Sequence, residues 1–228
     1  SPASSPNILP FENDKVADNE ENNDDEMDND IYEVEQVASP SESSSSVHRL
    51  DYTYPFQPPS DTFIRSTLEK LKIPFIRKAL HFWAEVLFTE IPKRSSPEST
   101  FAITSWNDSF FKCLSCFFTG KENHYFYIKA QIQAYICNNF RTFESDDGID
   151  FSKLDVTGQK FKQFYQCNKL TTTHYEFICA WLQCRIGVYT TNGILERYGN
   201  WSDNSEEYIP ILLMQNYTGL YKPVLTLL

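Results

Sequence analysis

The stretch SWNDSFFKCLSCFF, residues 105–118, decides how the chain folds. From Phe110 to Phe118 it is apolar on nearly every side, broken only by Lys112 and Ser115. A helix of that kind has no face to give to water, so it is expected to be buried. Asp108 or Ser109 is placed to cap its start, and Gly120 to end it. The two cysteines, Cys113 and Cys116, lie one and two turns inside the helix.

Working outward, DYTYPFQPPSD (51–61) reads as an extended, proline-rich entry. A helix capped by Asp61 follows, with Phe63, Ile64, Leu68 and Leu71 at helical spacing. Pro74 interrupts it, and a second helix is expected over 75–88. Residues 92–99 read as a loop. On the far side, 124–140 is predicted to be a helix striped by Tyr125, Ile128, Ile132, Tyr135 and Ile136. Residues 141–160 are polar and loop-rich, and 161–167 form a short helix. A helix near 173–183 gives way to the strand RIGVYTT. Two more strands, 208–214 and 221–228, are joined by a turn at NYTG (216–219). Helices first and strands last predict an α+β domain with a small sheet flanked by helices, not a βαβ array.

The amino-terminal segment has another composition. Of the chain's 31 acids and 20 Lys and Arg, residues 1–50 hold 13 and 2, which leaves 18 of each sign in 51–228. All of the net charge of −11 therefore belongs to the tail. With its apolar residues scattered singly, such a segment buries too little surface to offset the entropy of ordering. The expected organisation is a disordered acidic and serine-rich tail over 1–49 and one domain over 50–228. A neutral domain with an acidic tail lacks the basic footprint of direct nucleic-acid binding. No secretory signal opens the chain and no run of 18 apolar residues crosses a membrane. Six cysteines in 228 residues do not make a disulfide scaffold, so a reducing compartment, nuclear or cytoplasmic, is expected.

Three chemistries are open to residues of these types. Cys113-x-x-Cys116 has zinc-ligand spacing and Cys179 and Cys184 are five apart, but zinc pairs sit on turns where thiolates converge. Buried thiols that behave as small hydrophobes are the expectation, with no metal and no cofactor. A cysteine nucleophile is favoured at a helix N-terminus, and that position holds Ser109. A serine nucleophile needs a base. The histidines are His48 in the tail, His81 beside Phe82 and Trp83, His124 and His174, and none lies on the carboxy-terminal strands.

In order and spacing, four segments resemble the ovarian tumour (OTU) family of cysteine deubiquitinases, which have a papain-type fold. Trp106 to Lys112 is similar to that family's D-G-N-C-F-F-R helix start. His124 to Lys129 is similar to its next helix. Glu176-Phe177 and Ile186-Gly187-Val188-Tyr189 resemble its W-G-G-x-x-E-L helix and following strand, with threonines in place of the glycines. Leu220-Tyr221-Lys222-Pro223-Val224 resembles its final H-Y-x-P-V strand. The resemblance covers roughly 100–228.

It also implies that the chemistry has gone. The nucleophile position is Ser109, the supporting aspartate falls on Trp106 and the base on Leu220. A shifted last turn puts Asn216 there instead, and no histidine follows His174. The resemblance thus implies a pseudoenzyme without isopeptidase activity. It would act as a protein-binding scaffold or adaptor in an intracellular complex, with ubiquitin as a candidate partner. Trp106 either fills the former cleft or stands exposed as a binding anchor. The rival expectation is an unusual hydrolase using Ser109 or Cys113 with His124 or His174.

Overall fold

The computed structural model describes residues 53–143, 150–202 and 208–228. The acidic tail and His48 lie outside the described residues. The elements run β1 (Thr53–Pro55), α1 (Asp61–Lys70), α2 (Lys78–Ala84), β2 (Glu90–Pro92), β3 (Pro97–Thr100), α3 (Ser109–Thr119), α4 (Tyr125–Asn139), α5 (Gln159–Tyr165), α6 (Thr172–Leu182), β4 (Arg185–Tyr189), β5 (Leu195–Tyr198), β6 (Ile211–Tyr217) and β7 (Leu220–Leu227). This is the α+β arrangement expected, with a small sheet flanked by helices.

The five-stranded sheet has the order β3-β7-β6-β4-β5, and β1 pairs with β2 apart from it. Every pairing is antiparallel except β4 with β6. β4 is buried at all five residues, as suits a strand in a parallel pair at the sheet's interior. β6 and β7 are joined through Thr218 (φ 51°) and Gly219 (φ 98°). Positive φ at both central residues matches the right-handed twist of a tight hairpin, so the reversal spans two residues.

The helix that opened the sequence reading is the centre of the core. All eleven residues of α3 are buried. It packs against β7, α4 and α2. Its four phenylalanines, 110, 111, 117 and 118, are each at most 2 % exposed. Burial of each contributes roughly 1.5–3 kcal/mol. Trp83 stacks on Phe117 with centroids 5.2 Å apart, and its indole N–H donates to the Phe117 carbonyl at 2.8 Å. α3 ends at Gly120 (φ 70°), where an added Cβ would lie 2.3 Å from the Lys78 carbonyl oxygen. Glycine is required there both by the left-handed backbone and by this close approach.

Several boundaries differ from the sequence reading. Ser60, not Asp61, caps α1: its hydroxyl accepts from the Phe63 N–H at 3.1 Å. Asp61 instead pairs with Arg65 at 2.9 Å in the first turn. α2 covers half of the expected 75–88, because the chain leaves the helix to let the Leu87 N–H donate to Leu225 of β7. Asp108 holds the cap position of α3 in a left-handed conformation (φ 56°) without a side-chain cap bond. The expected loop 92–99 contributes to β2 and β3, so strands also precede α3. β5, after the turn at Thr190–Gly193, was not foreseen.

Candidate functional site

The start of α3 is held from three sides. The Ser109 N–H donates to the Trp106 carbonyl at 3.2 Å and the Lys112 N–H to Asp108 at 3.0 Å. The Asp108 carboxylate receives Lys129 of α4 at 2.6 Å, and Lys129 also donates to Asn168 at 3.3 Å. One ammonium thus ties the start of α3, α4 and the segment after α5. Below, the Glu122 carboxylate accepts from Thr104 through its N–H (3.0 Å) and hydroxyl (2.7 Å). Lys112 donates to Ser105 and lies 3.9 Å from Glu122.

Ser109 is 3 % exposed. Its hydroxyl donates to the Gly219 carbonyl at 3.1 Å and accepts from the Tyr221 N–H at 3.0 Å. Its proton and a lone pair are therefore both directed to the β6–β7 hairpin. Leu220, the half-buried residue between those contacts, carries no titratable group. Asn216 accepts from the Gly219 N–H at 2.8 Å and so supports the turn.

Around this point lies a cleft of about 220 Å³, walled by Trp106, Ser109, Asn168, Lys169, Gly219 and Tyr221 among others. Trp106 stands on its rim at 54 % exposure. Its ring lines the cleft while about half of it stays open to solvent. Behind the opening, Phe110 meets Tyr175 and Tyr221 edge-to-face, each at 5.5 Å, and the two tyrosine hydroxyls bond to each other. Tyr175 also stacks on Tyr198 at 4.2 Å. Burial pushes the pKa of both Tyr175 and Tyr221 up, so they stay neutral donors and acceptors.

The thiols near the cleft are protonated. Cys113 and Cys116 are wholly buried in α3. Burial pushes Cys113 well above the usual thiol range and Cys116 up to about 12. Cys167, on the cleft wall, is raised to about 12, again chiefly by burial. Among the described residues no group of three His, Cys, Asp or Glu converges to hold a metal.

The histidines have other work or other places. His174 is 1 % exposed and serves α6. Its Nδ1 accepts from the Thr171 N–H at 3.0 Å while its Nε2 meets the Phe164 carbonyl at 2.8 Å. Those partners require the neutral ring with its proton on Nε2, and burial lowers its basicity. His124 caps α4, with its backbone N–H donating to Ser115 at 3.1 Å and its Nδ1 buried without a hydrogen-bond partner. His81 is exposed on α2.

The structure brings Trp106 and Ser109 of the sequence-read positions to one cleft and places Leu220 at the hairpin that Ser109 holds. Sequence reasoning missed Asn168, Lys169 and the Tyr175–Tyr221 pair. Asn168 and Lys169 carry no motif, and the two tyrosines lie 46 residues apart, so only the fold pairs them.

No family model matches the chain, and no curated protein does. Among solved structures, the structure of the OTUD1 OTU domain is similar at 14 % identity, with a TM-score of 0.39. That alignment covers 56 % of this chain and 85 % of the other.

Proposed function

We propose that the domain is an OTU-like pseudoenzyme that works by binding protein, as a scaffold or adaptor, with ubiquitin as the first candidate partner. The observation that carries this reading is the Ser109 hydroxyl. A serine nucleophile needs its proton directed to a base. Here the proton goes to a backbone carbonyl and the oxygen accepts a backbone N–H. The buried thiols Cys113 and Cys116 lack the electropositive, accessible setting of a reactive cysteine. The half-exposed Trp106 on the rim is the kind of residue that anchors a protein partner. A nuclear or cytoplasmic location accompanies this reading.

The rival is a hydrolase using Ser109 or Cys113 with His124 or His174. Both ring nitrogens of His174 are already engaged. The test titrates the full chain with mono-ubiquitin and di-ubiquitins and follows cleavage of the same chains. Binding without cleavage, weakened by Trp106→Ala, is the expected result. Neither binding nor cleavage removes ubiquitin and leaves another protein partner to be captured. Cleavage overturns the pseudoenzyme.

A further inference from the structure

α6 ends in a turn whose geometry joins two cysteines. Gln183 takes the left-handed conformation (φ 57°) and the Cys184 N–H reaches back to the Cys179 carbonyl at 3.1 Å. This six-to-one closure brings the side chains of its first and last residues together, usually as an apolar contact. Here both are thiols, and they lie within hydrogen-bonding reach of each other. The other side of the pair is kept open by Gly199, where a Cβ would come 3.1 Å from Cys179 Cβ and 3.3 Å from its Sγ. The Glu176 carboxylate holds Gly199 in place, accepting its N–H at 3.1 and 3.2 Å. Each cysteine is only 3 % exposed, yet both line a cleft of about 500 Å³, which gives a small oxidant access.

We propose that Cys179 and Cys184 form a reversible intramolecular disulfide when the protein meets a peroxide. The peroxide oxidises one thiol to a sulfenic acid and releases one water. The second sulfur attacks the first, forming the S–S bond and expelling the second water. Two thiols and one peroxide thus become one disulfide and two waters, and a thiol reductant reverses the change. The bond staples the end of α6 to the start of β4, the strand that pairs with β6 of the Ser109 hairpin. Oxidation speeds with rising pH, because the neighbouring thiol and burial hold Cys179 protonated at neutral pH. The other four cysteines lack this turn: Cys113 and Cys116 are sealed in α3, Cys137 is exposed on α4, and Cys167 is buried at the wall of the Ser109 cleft.

The experiment treats the folded full chain with hydrogen peroxide, alkylates it under denaturing conditions and maps the peptides by mass. The reduced chain takes up six labels, one for each cysteine. The oxidised chain is expected to lose two labels, both from a Cys179–Cys184 bridge that dithiothreitol reopens. A bridge mapped to any other pair overturns the proposal. So does full labelling of Cys179 and Cys184 at a peroxide dose that oxidises Cys137.

Discussion

Replacing Ser109 by alanine separates a structural hydroxyl from a catalytic one. The hydroxyl makes two bonds to the hairpin at 3.1 and 3.0 Å from a side chain that is almost fully buried. Each contributes about 1 kcal/mol net, and leaving the hairpin's donor and acceptor without a replacement adds to the loss. Ser109→Ala is therefore expected to cost about 2–3 kcal/mol. For a folded region of this size that lowers Tm by roughly 5–10 °C. Urea unfolding followed by tryptophan fluorescence reads the first figure and calorimetry the second. Ser109→Cys is expected to destabilise as well, because sulfur bonds poorly at those distances, and to give no ubiquitin cleavage, since among the described residues that side chain is bonded to the hairpin backbone and not to a base. The reasoning fails if Ser109→Ala stays within about 0.5 kcal/mol of the parent. It also fails if the parent cleaves ubiquitin and the alanine variant does not.

Two further predictions concern the scaffold. Gly120→Ala is expected to destabilise by at least about 2 kcal/mol, since it adds left-handed strain to a clash with the Lys78 backbone; an unchanged urea midpoint would refute this. His174 gives the stability a definite pH dependence. Its folded pKa lies below the ordinary 6.5, so in acid the unfolded chain binds the proton first. The His174 contribution is complete above about pH 6.5 and is lost as pH falls from there through the folded pKa. Urea midpoints from pH 8 to pH 5 should fall for the parent and fall less for His174→Gln. Parallel curves for the two would show that this ring does not titrate with unfolding.

The single strongest feature of the fold was local and so was readable. An apolar run without a polar face has nowhere to lie but the interior, and α3 is buried at every residue. The stripe of Ile128, Ile132 and Ile136 placed α4 on the same ground, and all three are buried. The run RIGVY announced a fully buried strand through its β-branched and aromatic residues. Short strands at the sheet's edge escaped notice because pairing, not propensity, makes them: β3 contains Pro97 and Glu98 and exists through its bonds to β7.

The candidate site divides in the same way. Its residue types were legible: a serine at the head of the helix and no histidine on the final strands. Residue type alone could not say where the Ser109 proton goes, because its partners lie 110 and 112 residues away. Nor could it say whether Trp106 closes the cleft or stands at its rim, since burial follows from every neighbour the fold supplies. Cys179 and Cys184 looked like separate members of a helix and a strand. The left-handed turn at Gln183, a conformation unfavourable for that residue and set by the meeting of α6 with β4, is what makes them a pair.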